Sequence, residues 1–354
     1  MRNALGISVY LNHFDQQKEW LETVLSPGQN VFTSLQIPEE QSQLKPQTVL
    51  VMLQWLKERG AYIIADISPR VLKDLAVESV QALIDTYPID NVRLDDGFSA
   101  QEVVQFLNTV DVTINASIQV AHLNEWANIT RQAPYQLYAQ FNYYPRIETG
   151  MDSHDVQMIA ERFRSIGIRT MAFIAGDEDL RGPLYRGLPT IEMTRDWPPV
   201  LAYVKLMQCG IDEVFVGDVK LSQSQWNAID GWQRQEVIEL PVTFTSTYDV
   251  LYDERFNIRL DSPRKLLRIS QARRHLQEAL VEPGNCLQRL TGMMTMDNKY
   301  YGRYAGEIQL VGKDLPADDR VNVIGQIDDA YLTIFELDIR GLMVQFVEKV
   351  NADT

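Results

Sequence analysis

Carboxylates, carboxamides and aromatic hydroxyls fall in this chain just after short apolar runs: Asn12-His13, Ser34-Leu35-Gln36, Asp66, Asp95-Asp96, Asn115-Ala116-Ser117, Asn142-Tyr143-Tyr144, Gly176-Asp177-Glu178 and Gly217-Asp218. Such a mixture suits a saccharide, whose hydroxyls want paired donors and acceptors and whose ring faces want flat apolar surfaces. Hydrolysis of a glycosidic bond would need two carboxyl groups, one to protonate the leaving oxygen and one to act as nucleophile or base. The candidates are Asp95 and Glu192, with Asp66 third; Asp95 is preferred to Asp96 because alternation along a strand turns only one of the two inward. Asn115, Asn142, Tyr144 and Asp218 are candidate partners for sugar hydroxyls. Each of these residues is also what a helix cap or turn would place there, so the collection carries more weight than any member.

The stretch from Gly176 to Arg195 is long and has no helical period, and such loops tend to be functional. Arg181, Arg186 and Arg195 punctuate it without a lysine. A guanidinium offers a planar fork for phosphate or carboxylate, so Arg181 and Arg195 are candidate anion-binding residues. Within the same loop, Glu192 is open to three readings: catalytic carboxylate, partner of Arg195, or helix-start charge. Further on, Asp297 to Glu307 gathers three tyrosines and Arg303 into an expected hairpin, with Arg303 a candidate contact to substrate.

Positioning these groups requires a frame, and eight apolar, β-branched runs supply one: Leu5 to Leu11, Asn30 to Leu35, Tyr62 to Ile67, Asn91 to Leu94, Val112 to Asn115, Leu137 to Phe141, Arg169 to Ile174 and Glu213 to Val216. Their starts lie 25, 32, 29, 21, 25, 32 and 44 residues apart, room for a strand, a helix and two loops. Eight βα units in about 235 residues match a (β/α)₈ barrel, whose chemistry gathers at the strands' C-terminal ends. A doubly wound sheet fits less well, since no GxGxxG follows the first strand. Helix ends are legible too: Ser68-Pro69, Ser99 with Glu102 and Ser222 with Gln225 read as N-caps, and Gly167 and Gly210 as stops.

Beyond about Gln235 the pattern becomes mainly β, with strands expected at Val237 to Thr245, Arg289 to Thr295, Gly306 to Val311, Asn322 to Ile327 and Ala330 to Leu337, and one helix from Leu266 to Leu280. The expected domains are therefore 1–235, a TIM barrel, and 236–354, a smaller β domain.

Composition narrows the classes. Lys+Arg 33 against Asp+Glu 48 leaves a net charge of −15, which repels phosphate backbones and anionic membranes. Neither nucleic acid nor membrane is an expected partner. Cys209 and Cys286 form no CxxC pair, the four histidines (His13, His122, His154, His275) have no HxH or HExxH spacing, and no nicotinamide, flavin or pyridoxal signature is present. No metal or cofactor is expected. The amino terminus has no apolar leader and no run reaches membrane-spanning length, so a cytoplasmic address is expected.

In their order, Leu5-Gly6-Ile7-Ser8-Val9-Tyr10, Arg93-Leu94-Asp95 with Gly97-Phe98, Asn142 with Tyr144-Pro145 and Thr149-Gly150, Gly182-Pro183 with Gly187-Leu188, Glu192, Arg195, and Tyr304 with Gly306-Glu307 resemble the bacterial 6-phospho-N-acetylmuramidases. The resemblance covers nearly the whole chain. It implies a barrel followed by a cyclophilin-like β domain, and hydrolysis, inside the cell during cell-wall recycling, of the β-1,4 bond between N-acetylmuramic acid 6-phosphate and N-acetylglucosamine. That phosphorylated amino-sugar disaccharide carries a phosphate and a lactyl carboxylate, for which arginines are apt partners. Two other classes stay open: an isomerase or aldolase of sugar phosphates, whose Schiff-base candidate is Lys220, and a sugar-phosphate-binding protein without turnover.

Overall fold

The computed structural model describes residues 5–37, 45–94, 97–270 and 281–349. The chain divides into two compact units, 1–226 and 227–354. In the first, eight strands close a parallel barrel in sequence order: β1 (Gly6–Ser8), β2 (Asn30–Ser34), β3 (Tyr62–Ile67), β4 (Asn91–Leu94), β5 (Asp111–Asn115), β6 (Leu137–Gln140), β7 (Arg169–Ile174) and β8 (Glu213–Val216). Seven of the eight expected runs contain their strand, and β5 starts one residue before its run, at Asp111. The strands are almost wholly buried, as parallel strands covered by helices must be.

Phe32, Ile64, Met171, Phe173 and Phe215 pack into one cluster inside the barrel. Gly6 makes room for it: a Cβ there would lie 2.3 Å from the Phe215 ring. The helix-end signals are upheld unevenly. Ser99 and Glu102 form a full capping box. Ser222 Oγ accepts the Gln225 amide at 3.3 Å, but the backbone N–H of Ser222 turns to Asp177 at 2.7 Å. Pro69 opens its helix as expected, whereas the Ser68 hydroxyl makes no cap.

In the second unit, seven strands form a mixed sheet: β9 (Val237–Phe244), β10 (Arg255–Asn257), β11 (Leu266–Ile269), β12 (Met293–Asp297), β13 (Ile308–Val311), β14 (Val321–Ile327) and β15 (Met343–Glu348). Their spatial order is β10-β15-β9-β14-β12-β13-β11, and only β9 and β15 run parallel. Its two edges meet beyond β10, where Ile258 bridges Ile269 and Ser270 N–H donates to the Asn257 carbonyl at 2.8 Å.

Three expectations here are corrected. Leu266–Ile269 is a strand, not the start of a helix, because it pairs in register with Val311 to Ile308; residues 271–280 of that expected helix lie outside the described residues. Ala330 to Leu337 is no strand but a 3₁₀ segment, Asp329–Glu336, started by the Asp328 side chain accepting the Ala330 amide. The strand expected from Arg289 begins at Met293, Arg289 making only an isolated bridge to Leu315.

Candidate functional site at the barrel mouth

Parallel register sets Ser34 beside Asp66 and Asp66 beside Arg93, so three neighbouring strands point polar side chains into one end of the barrel. Asp66 is buried, and its carboxylate takes three donors: Arg93 Nη1 at 2.5 Å, Ser34 Oγ at 2.7 Å and Gln36 Nε2 at 2.8 Å. From its other edge the Arg93 guanidinium donates to Asn142 Oδ1. These groups, with Ile37 and the rings of Phe32, Tyr143 and Phe173, line a cavity of about 290 Å³. Tyr143 meets Phe173 edge-on at 5.1 Å between centroids, giving the wall an apolar, aromatic side. Asp66 and Asn142 are the two sequence-derived candidates that this cavity brings together. Arg93 and Tyr143, which line it too, were not among those candidates.

Behind the Tyr143 wall sits Arg181, which is buried. It donates to the Tyr143 hydroxyl at 3.0 Å and lies 4.5 Å from the centroid of the Tyr10 ring. Burial raises the phenols of Tyr10 and Tyr143 above their usual range, and the Tyr10 hydroxyl donates to the Gly217 carbonyl. Asp218 serves the same loop from inside: fully buried, it accepts the amides of Gly176, Arg181 and Leu188, each at 2.9 Å. Burial pushes its carboxyl up, opposed by those three donors. Asp218 thus shapes the loop rather than facing the cavity, and Arg181 braces its wall.

Glu192 sits in a clamp on the loop. Its oxygens accept Arg195 Nε at 2.8 Å and Nη2 at 2.6 Å, and the amides of Glu148 at 2.9 Å and Gly150 at 2.7 Å. The Arg195 hydrogen bonds, helped by those amides, hold its carboxyl down at about 2, which unsuits it to donate a proton near neutrality. Gly150 is required by this approach, since a Cβ would lie 2.6 Å from Glu192 Oε2. Arg195 also donates to the carbonyls of Gly187 at 3.0 Å and of Arg186 and Arg146 at 3.3 Å, so it too ties loops together. The spacing of three between Glu192 and Arg195 carried that reading in the sequence.

The remaining candidates scatter. Asn115 Oδ1 caps the helix Ala116–Gln119, accepting from Ser117 N at 3.1 Å and Ser117 Oγ at 2.8 Å. Tyr144 is half-buried and bonds through its backbone to the Pro189 carbonyl at 3.0 Å. Arg303, in the second unit, donates to the Tyr304 hydroxyl at 2.7 Å. Asp95 and Asp96 lie outside the described residues, directly after β4. Lys220 pairs with Glu178 at 2.9 Å, which raises its ammonium above the ordinary lysine range. A Schiff-base lysine needs the opposite shift.

At the opposite end of the barrel, the starts of the strands enclose a second cavity of about 250 Å³, lined by Gly28, Asn30, Tyr62, Tyr138, Arg169, Met171 and Glu213. Glu213 accepts from Asn30 Nδ2 and pairs with Arg169 at 2.8 Å, and the Tyr62 hydroxyl donates to Asp111 at 2.5 Å. Among the described residues no three His, Cys, Asp or Glu side chains converge as metal ligands, and no helix is long and apolar enough to cross a membrane.

A (β/α)₈ barrel with a polar, ring-walled cavity at its strand ends, followed by a β unit, defines a class of barrel protein built to hold a small polar ligand. The family is narrower. Residues 5–231 match the family described as 6-phospho-N-acetylmuramidase, N-terminal, and residues 238–341 match 6-phospho-N-acetylmuramidase, C-terminal. The chain belongs to the 6-phospho-N-acetylmuramidase family. Among solved structures it is similar to a conserved protein of unknown function from a locus in Enterococcus faecalis, at 30% identity and a TM-score of 0.81, covering 98% of this chain and 96% of that one. An uncharacterized B. cereus protein shares the fold at 23% identity and a TM-score of 0.77, over 98% of this chain and 100% of the other. No curated protein matches.

Proposed function

We propose that this protein is a cytoplasmic glycoside hydrolase that cleaves the β-1,4 bond between N-acetylmuramic acid 6-phosphate and N-acetylglucosamine during cell-wall recycling. The observation that carries the reading is Asp66, a buried carboxylate held by three donors in a ring-walled cavity at the strand ends of a barrel from a muramidase family. With both oxygens accepting, Asp66 fits the acceptor's part: nucleophile, base for water, or the group that orients the substrate's acetamido oxygen as internal nucleophile. Asp95, the first residue after β4, takes the donor's part and protonates the leaving glycosidic oxygen. Asn142 and Tyr143 offer an amide and a hydroxyl to the sugar, and the Phe32 and Phe173 rings offer it an apolar face.

The test is direct: incubate the full chain with the phosphorylated disaccharide and with its unphosphorylated counterpart, and follow products by mass. Cleavage of the phosphorylated compound is expected. Binding of that compound with no product formed would overturn the hydrolase and favour a sugar-phosphate-binding protein.

A further inference from the structure

We infer that Arg93 is the residue by which the mouth tells an anionic saccharide from a neutral one, its guanidinium taking an oxyanion of the substrate, phosphate or carboxylate, while Asp66 stays on its other edge. The identity of the substrate rests on the hydrolase reading above; the choice of residue rests on geometry. Three other cations near the barrel's strand ends are engaged away from the cavity. Arg195 is clamped by Glu192 and loop carbonyls, Arg181 stands behind the rings of Tyr10 and Tyr143, and Lys220 pairs with Glu178. Among the described residues, Arg93 is the one cationic side chain that lines the cavity.

Its fork is already divided. Nη1 faces the charged Asp66, and Nη2 faces the neutral carboxamide of Asn142. A charged oxyanion makes a guanidinium hydrogen bond roughly twice as strong as a neutral acceptor does. An entering phosphate or carboxylate therefore exchanges with Asn142 and not with Asp66, and the released carboxamide is free to hold a neighbouring group of the same ligand. The aromatic wall gives that side a low-dielectric surface, which strengthens the contact. Because the whole chain carries −15, attraction for an anion has to be local and buried. Lysine, a point charge, cannot bridge Asp66 and a second oxyanion with one planar group.

The experiment compares wild type, Arg93→Lys and Arg93→Gln on three disaccharides: one with phosphate and lactyl carboxylate, one with the carboxylate alone, and one with the phosphate alone. The affinities for inorganic phosphate and for lactate are measured in parallel by calorimetry. Because Arg93→Gln leaves Asp66 buried without its charged partner, the pair Arg93→Gln with Asp66→Asn serves as the folded control for the binding arm. Expected is a loss of about 100-fold in kcat/KM, mostly in KM, for substrates bearing the recognised anion, with a far smaller loss for the substrate lacking it. Whichever singly charged substrate shows the loss identifies the anion. Equal losses on all three, with anion affinities unchanged, would overturn the inference and leave Arg93 a support for Asp66. If wild type cleaves nothing yet binds one anion through Arg93, the hydrolase reading fails and the assignment of Arg93 stands.

Discussion

The two ends of the barrel hold the same three kinds of side chain: Asp66, Arg93 and Asn142 at one, Glu213, Arg169 and Asn30 at the other, each beside tyrosine and each in a cavity of similar size. They differ in what supplies them and in how dry they are. The lower set comes from the first residues of strands, and Arg169 is 46% exposed, so solvent screens its pairing with Glu213. At the mouth the arginine and the carboxylate side chains are 4% and 7% exposed, and Gln36, Ile37, Asn142 and Tyr143 reach in from loops beyond the strands. Residue chemistry alone does not make a site; a dry setting and loops free to vary do.

Substitution should separate the two ends sharply. Asp66→Asn is expected to lower kcat by about 10³-fold or more, read by product formation below the variant's melting temperature. It should also cost about 3 kcal/mol, read by denaturant unfolding, because it breaks the buried ion pair between Asp66 and Arg93. Glu213→Gln, the matching change below, should cost about 1 kcal/mol and leave activity within about twofold, since its arginine keeps access to water. Equal loss of turnover from both variants would erase the distinction between the ends.

A smaller effect concerns pH. The folded Glu192 carboxyl lies near 2, below its ordinary value of 4.5, so it contributes stability that is present above pH 4.5 and is lost as pH falls toward 2. Comparison of urea midpoints should show Glu192→Gln less stable than wild type at pH 7, with the gap closing over that window; a gap unchanged at pH 2 would deny the clamp its charge. The smallest expected effect is none: Lys220→Met should retain turnover, and borohydride with a carbonyl substrate should trap nothing, because Glu178 holds the amine protonated.

The barrel was readable because its signal is local and repeated. Asn30 to Ser34 and Arg169 to Ile174 are apolar runs bounded by turn residues, and parallel pairing asks little more of a sequence. The β unit was less readable where tertiary pairing overrode local pattern. Leu266, Leu267 and Ile269 suit a helix face as well as a strand, and only the distant partner Ile308–Val311 decides. At the site, Asp66 and Asn142 were legible from their place at strand ends. Arg93 was not, since a charged residue inside Asn91-Val92-Arg93-Leu94 shows its purpose only once register sets it beside Asp66. Glu192 and Asp218 show the converse: the sequence offers a loop carboxylate as a site candidate, and only the fold shows the backbone amides it gathers.

The cluster of Phe32, Ile64, Met171, Phe173 and Phe215 has a further consequence for traffic through the molecule. Phe32 and Phe173 also line the upper cavity and Met171 the lower one, so these side chains form a septum between them. The mouth is a blind alley rather than a tunnel. A ligand that enters the upper cavity must leave by the way it came.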